Sequence, residues 1–181
     1  LDVSGNGSGS NVSGTLYDEN FFEYEYDCSG MGVNSGSPSD VQFSNLFDKN
    51  IDVDIRWLSI ETNSDVEQFF TLTLPVSIIA KCCVLQIPGE THTNTYKRFA
   101  KNITVSYQDT NGDYITIGAA SGLTYADYDK IHLFKTANSY STYCYILTLN
   151  QAISANKYKV TLTPEFNTQP FELAEFELLT I

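Results

Sequence analysis

Asn45-Leu46-Phe47-Asp48-Lys49-Asn50-Ile51-Asp52-Val53-Asp54-Ile55-Arg56-Trp57 places three carboxylates (Asp48, Asp52, Asp54) and the amide oxygen of Asn50 close together, then runs into the only Trp of the chain. Oxygen donors at this density suit a hard cation. Calcium takes about 6 to 8 oxygens from carboxylates, amides and backbone carbonyls. The same residues support a second reading, because Ile51, Val53, Ile55 and Trp57 alternate with Asp52, Asp54 and Arg56. That is the pattern of a half-buried strand with a solvated acidic face. An EF-hand loop, with its Gly at the sharp turn, is absent.

The elements that must position these donors belong to a chain of 181 residues, long enough for one domain that buries roughly 70% of its unfolded surface. A formal charge of −12 repels phosphate backbones and anionic membrane surfaces, which require Lys and Arg. Nucleic acid is therefore not an expected partner, while cations and neutral ligands are favoured. With 12 Tyr and 11 Phe against single Met and Trp residues, the composition fits pleated sheets that can present rings for stacking. No apolar run approaches the roughly 18 to 20 residues that cross a bilayer, so no membrane insertion is expected. The N-terminus lacks a secretory leader pattern, and any export signal is expected to have been removed or to belong to a longer parent.

Cys28, Cys82, Cys83 and Cys144 match no zinc spacing. Cys82 and Cys83 are neighbours on an expected strand and point to opposite faces, so at most one can meet Cys144 across a sheet interior. A bridge from Cys82 or Cys83 to Cys144 and a set of buried thiols both fit, and the reading leans to an oxidising location. The sequons Asn11-Val12-Ser13 and Asn102-Ile103-Thr104 permit an extracellular source.

Residues 1–14 are rich in Gly, Ser and Asn and read as a flexible tether to something larger, leaving 15–181 as a single domain. Thr15 to Tyr26 reads as a first strand, with Phe22, Tyr24 and Tyr26 on one face and Glu23, Glu25 and Asp27 on the other. Further strands are expected at 68–74, 80–87, 103–108, 114–117, 130–135, 144–149, 157–163 and 171–179, with no segment of helical period. Asn111-Gly112 between two such runs predicts a hairpin with a two-residue type I′ turn. Short strands separated by turn residues define an all-β sandwich or jelly roll.

In their order along the chain, these landmarks resemble the discoidin domain, also called the coagulation factor V/VIII type C domain, and the related family-32 carbohydrate-binding modules. Asn45-Leu46-Phe47-Asp48-Lys49-Asn50 followed by Arg56-Trp57-Leu58-Ser59 is similar to the family's Asp-Gly-Asn stretch leading to Arg-Trp-Ser. Phe69 to Ile78, the hairpin from Val105 to Tyr114, the strand Tyr158-Lys159-Val160-Thr161-Leu162-Thr163-Pro164 and the closing Leu173-Ala174-Glu175-Phe176-Glu177-Leu178 resemble later family landmarks in sequence. Lys49 stands where the family usually has Gly, and the interval from Asn50 to Trp57 is longer than usual. The resemblance covers residues 40–181 and implies an eight-stranded antiparallel jelly-roll β-sandwich of the galactose-binding-like type, with its termini at one end. It also implies a structural calcium site built from Asp48, from Asn50, Asp52 and Asp54, and from Glu175 of the last strand. Glu175 has a plainer reading as an ordinary carboxylate on an exposed strand face.

The resemblance further implies that a glycan meets loops at the end opposite the termini. Glu90 to Arg98 is the richest of these, because a sugar needs a ring to stack on its C–H face and polar groups for its hydroxyls. His92, Asn94, Tyr96 and Arg98 supply both, flanked by Asn63, Ser64 and Asp65 and by the turn carrying Phe166 and Asn167. Each of these residues also reads as ordinary solvated surface. Trp57 is expected in the core.

The function expected is a non-catalytic carbohydrate-binding or adhesion module of a larger extracellular, cell-surface or viral or phage fibre protein, with a glycan or glycoconjugate as partner. The alternative is a structural β-sandwich subunit that self-assembles into a filament or coat. An enzyme is not expected, since no nucleophile-elbow pattern and no Gly-rich phosphate loop occurs and His is present only twice.

Overall fold

The computed structural model describes residues 13–17, 23–31, 46–47, 57–58, 67–87, 99–135, 138–164, 172–173 and 175–180. In chain order its strands are β1 (Ser13–Tyr17), β2 (Glu23–Gly30), β3 (Trp57–Leu58), β4 (Gln68–Ile78), β5 (Cys82–Ile87), β6 (Ala100–Gln108), β7 (Tyr114–Ala120), β8 (Asp129–Lys135), β9 (Asn138–Thr148), β10 (Ala155–Pro164), β11 (Glu172–Leu173) and β12 (Glu175–Leu179). A 3₁₀ turn, Tyr125–Asp127, precedes β8. One antiparallel sheet has the order β1-β2-β4-β10-β6-β7 and the other β12-β5-β9-β8, with β3 and β11 as a separate short pair. The expected eight-stranded sandwich is thus β4-β10-β6-β7 facing β12-β5-β9-β8, and the β1–β2 hairpin widens the first sheet.

Alternation in the sequence explains which side of each strand meets the core. Phe70 and Leu72 of β4, Ile103 and Val105 of β6, and Tyr158, Val160 and Leu162 of β10 are buried from one sheet. Cys83, Leu85 and Ile87 of β5, Tyr143 and Leu147 of β9, and Phe176 of β12 are buried from the other. Between them lie the two inner faces of a sandwich, where every second side chain leaves water.

Two local expectations are corrected. Thr15 to Tyr26 is not one strand: β1 and β2 pair antiparallel with Ser13 opposite Asp27 and Tyr17 opposite Glu23, so the chain reverses between them. The alternation read there belongs to β2 alone, where Tyr26 is buried and Glu25 and Asp27 are exposed. At the β6–β7 hairpin the closing pair is Asp109 and Asp113, whose N–H and C=O meet at 2.8 Å. A β-turn closed by Gly112 N–H to Asp109 O at 3.1 Å, with Gly112 at φ 93°, replaces the two-residue turn. The Asp109 carboxylate explains the longer loop, since its Oδ1 accepts the N–H groups of Asn111 and Asp113, both at 2.9 Å.

All four cysteines are free thiols. Cys83 lies opposite Leu147 of β9 whereas Cys144 lies opposite Gln86 of β5. That register separates either candidate pair by roughly 10 Å or more along the strands, beyond the Cα spacing of about 7 Å that a bridge tolerates. At the sequon, Asn102 Nδ2 donates to Thr163 Oγ1 at 2.6 Å and Oδ1 accepts from Gly122 N–H at 3.0 Å. The amide that a glycan would modify is committed to joining β6 to β10 and to the turn after β7.

A polar knot closes the end of the sandwich that carries the last residues of β12. Gln151, 3% exposed, accepts from Ala80 N–H at 2.8 Å and donates to Ile78 O at 3.2 Å. The fully buried Tyr158 hydroxyl sits 3.0 Å from the carbonyls of Ile78 and Ala155 and 3.2 Å from Gln151 Oε1. Lys81 N–H to Leu179 O closes the β5–β12 edge here, and Asn150 N–H to Ile117 O ties the two sheets.

Tyr158→Phe is expected to cost about 1–3 kcal/mol in urea unfolding, because carbonyls and the Gln151 amide lose a buried partner. Burial pushes the Cys83 thiol up from 9.0 to about 12, and burial with the nearby Asp27 raises Cys28 further. Folding therefore holds protons that the unfolded chain releases near its ordinary thiol value. The stability this represents is complete below pH 9.0 and is lost as pH rises toward 12, so the melting temperature is expected to fall over that interval. Cys83→Ala, compared with the parent chain, is expected to flatten that fall.

Candidate functional site

The end of the sandwich opposite the Gln151 knot gathers the boundaries of every segment singled out for chemistry. Ile87 ends β5 and pairs with Tyr143, Ala100 opens β6 and pairs with Pro164, and Gln68 opens β4 beside Leu162. Glu175 opens β12 opposite Gln86. Residues 59–66, 88–98 and 165–171 are therefore each bounded by strand ends at this one pole.

Two sets of rings hold the pole. In the first, Tyr26 of β2 meets Phe47 at 5.1 Å between centroids, Phe47 meets Phe70 at 5.6 Å edge-on, and Phe70 meets Phe176 at 5.0 Å edge-on. Such tilted and edge-to-face pairs are the preferred aromatic geometry, each contributing about 0.5–1.5 kcal/mol beyond area burial. In the second, Phe99 meets Tyr128 at 5.4 Å and Tyr125 at 6.4 Å, Tyr125 meets Tyr143 at 4.6 Å, and Tyr128 meets Tyr145 at 5.4 Å. Tyr128 donates its hydroxyl to Ala100 O at 2.8 Å. Burial raises the affinity of that phenol for its proton. Thr124 and Asp127 fasten the intervening 3₁₀ turn, as Asp127 Oδ2 accepts from Thr124 N–H at 2.7 Å and Oγ1 at 2.8 Å. Those bonds lower the Asp127 pKa.

The first ring set bears directly on the acidic stretch. Phe47 immediately precedes Asp48, and Phe176 immediately follows Glu175. Both rings touch Phe70, so the two backbones approach the same side chain. At the other end of the stretch Trp57 pairs with Leu173 and Leu58 with Glu172. Both flanks of residues 48–56 thus run beside the strands that lead into and out of Glu175. Glu175 itself is 1% exposed, which removes its reading as a carboxylate on a solvated face. A carboxylate so deeply placed requires hydrogen-bonding, ionic or metal partners.

Of the residues predicted to bind, Glu175 is described. Asp48, Asn50, Asp52 and Asp54, and His92, Asn94, Tyr96, Arg98, Phe166 and Asn167, lie outside the described residues. Trp57 is placed in β3 by its backbone. Among the described residues no group of three or more His, Cys, Asp or Glu side chains could hold a metal ion. Sequence reasoning missed the second ring set and the buried Gln68, at 2% exposure. Alternation marks Phe70 as inward, but nothing local reveals that it joins Tyr26, Phe47 and Phe176 from three other segments in one series of rings.

No family model matches the chain, and no curated protein does. Solved structures do. The family-32 carbohydrate-binding module of EndoD from Streptococcus pneumoniae superposes with a TM-score of 0.58 over 93% of this chain and 100% of that one, at 9% identity. An F5/8 type C domain from Bacteroides fragilis gives 0.58 over 92% of this chain and 95% of that one, at 11% identity. The Clostridium perfringens module CpGH89CBM32-5, solved in complex with GalNAc-β-1,3-galactose, gives 0.55 over 92% and 100%, also at 11% identity. The chain therefore has the β-sandwich fold of the discoidin-like domains and family-32 modules. That agrees with the order of landmarks in its sequence. Among the described residues no helix is long and apolar enough to cross a membrane.

Phe70→Ala is expected to cost about 3–5 kcal/mol by urea unfolding. Since Phe70 contacts both Phe47 and Phe176, its loss is expected to exceed that of Phe99→Ala in the separate ring set when the two are compared in a double-mutant cycle with Phe176→Ala.

Proposed function

We propose that this chain is a non-catalytic carbohydrate-binding module that meets its glycan at the ringed pole of the sandwich. The observation that carries this reading is the convergence there of the boundaries of 59–66, 88–98 and 165–171, on a fold shared with modules whose solved complexes contain GalNAc or a GalNAc-containing disaccharide. His92, Asn94 and Arg98 supply hydrogen bonds to hydroxyls, and Tyr96 and Phe166 supply ring faces, with Asn167 beside them. The net charge of −12 supports a neutral glycan over a polyanion. We infer further that the module works as part of a larger extracellular, surface or fibre protein, in adhesion or in targeting a neighbouring domain.

Calcium belongs to the same proposal. The buried carboxylate of Glu175 fits a hard cation shared with the acidic stretch, where Asp48, Asn50, Asp52 and Asp54 supply the remaining oxygens. Its work is structural: a cation neutralises clustered carboxylates and ties residues 48–56 to the last strand.

Glycan-array binding is expected for the intact chain and is expected to be lost on changing His92, Arg98 or Phe166 to Ala with the melting temperature unchanged. An array with no bound glycan would overturn the reading. Millimolar calcium is expected to raise the melting temperature relative to EDTA by mass action on the folded state. Asp48→Asn and Glu175→Gln are expected to remove that difference, and equal melting in calcium and EDTA would remove calcium from the proposal.

A further inference from the structure

The outward face of the six-stranded sheet carries an arrangement that the loop site does not use. Strand register places Asp27 of β2, Thr71 of β4, Lys159 of β10, Ser106 of β6 and Thr116 of β7 in one row across the sheet. Glu25, Thr73 and Lys157 form the next row on one side, with Gly30, Phe69, Thr161 and Thr104 on the other. At the centre the Lys159 ammonium lies 4.1 Å from the centroid of Phe69 and 5.7 Å from that of Tyr114. Phe69 reaches this position by lying against Gly30, where even a Cβ would sit 2.5 Å from its ring atoms. Tyr114 is 36% exposed, and the negative charge of Asp27, after burial, raises its phenol pKa. The carboxylate therefore acts on the same patch of surface. Among the described residues the two rings are the close partners of Lys159.

A cation fixed between two rings, beside a carboxylate and a set of hydroxyls, is a recognisable binding chemistry. An exposed ring stacks on the C–H face of a pyranose, an ammonium donates to its hydroxyls, and a carboxylate accepts from them. Charge narrows the ligand. Asp27, Glu25 and the net −12 oppose a polyanion, while Lys157 and Lys159 at the centre oppose a polycation. Among the described residues the outward face of the other sheet presents the aliphatic Ile146 at 59% and Leu179 at 40% exposure, with Asp129 and Glu177 near Cys144.

We propose that the outward face of the six-stranded sheet, centred on Tyr114, Lys159 and Asp27, is a second binding surface for a neutral polysaccharide chain. Tyr114 stacks on one sugar unit, Lys159 and Asp27 hold hydroxyls of the same or the adjoining unit, and Phe69 over Gly30 holds the ammonium in place. This extends the reading of the chain as a glycan binder but uses residues separate from the loops.

The test is affinity gel electrophoresis of the full chain in soluble galactan, xylan, galactomannan and mixed-linkage β-glucan, using an Arg98→Ala, Phe166→Ala double variant as background. Retardation of that background by at least one of the four is expected, with affinity reduced about tenfold, near 1.4 kcal/mol, by Tyr114→Ala or Lys159→Met. Lys159→Met keeps the stem over Phe69, and Lys159→Arg is expected to retain binding. Unchanged melting temperatures exclude loss of fold. Mobility of the background unaffected by all four polysaccharides overturns the surface, as does retardation that Tyr114→Ala and Lys159→Met leave intact. If the loop changes leave array binding whole while the sheet changes abolish it, the loop reading fails and the sheet surface stands.

Discussion

The contact on which the rest of the described structure turns is the meeting of Phe47, Phe70 and Phe176. Phe70 is fully buried in β4, yet it touches a ring from an irregular segment on one side and a ring from the last strand on the other. Two sheets in a sandwich are held by generic apolar burial, which by itself does not specify where a non-strand segment should dock. Edge-to-face geometry does specify it, because ring quadrupoles favour a narrow set of approach angles. Through Tyr26 the same series continues into β2, so a hairpin at the sheet edge, Phe47 and the final strand are located by one run of rings.

The two poles of the sandwich use different physics. At one, Gln151 and Tyr158 saturate backbone carbonyls and amides in a buried polar knot, and the backbone bond from Asn150 to Ile117 joins the two sheets directly. At the other, rings occupy the space and the chain runs between strand ends in long segments. Polar knots over-determine local geometry, since every unsatisfied member is costly. Ring packing leaves backbone free to vary in sequence and length while its anchor points stay put. The glycan site proposed above lies at the second of these poles, in keeping with recognition by loops on a rigid scaffold.

Buried thiols add a chemical consequence. Cys28 and Cys83 behave as small core hydrophobes, and their pKa values rise because a thiolate could not be solvated there. Burial removes them from redox chemistry, which requires the thiolate at an accessible position. Their presence is therefore a matter of packing, and carries no information on the compartment in which the protein works.

Much of this architecture was legible from residue order. Alternation placed most strands from 68 to 179 within a few residues, though β9 begins at Asn138 rather than Cys144 and the closing run is divided into β11 and β12, and the series of landmarks from Phe47 to Glu175 identified the fold, because a two-residue period is a local property of a half-buried strand. Pairing, however, is nonlocal. The reversal between Tyr17 and Glu23, the offset that keeps Cys144 away from Cys82 and Cys83, and the commitment of Asn102 to Thr163 follow from strand register, to which single residues give no clue. Glu175 shows the division most clearly. Its spacing marks it as one carboxylate in an alternating strand, but only the tertiary structure takes it out of water. Likewise the bracket of Phe69, Lys159 and Tyr114 comes from β4, β10 and β7, distant in sequence and neighbours only through the sheet. The chain by itself determined which residues alternate and what charge they bear; the tertiary structure decided which of them face one another, because hydrogen-bond register couples positions that no local rule connects.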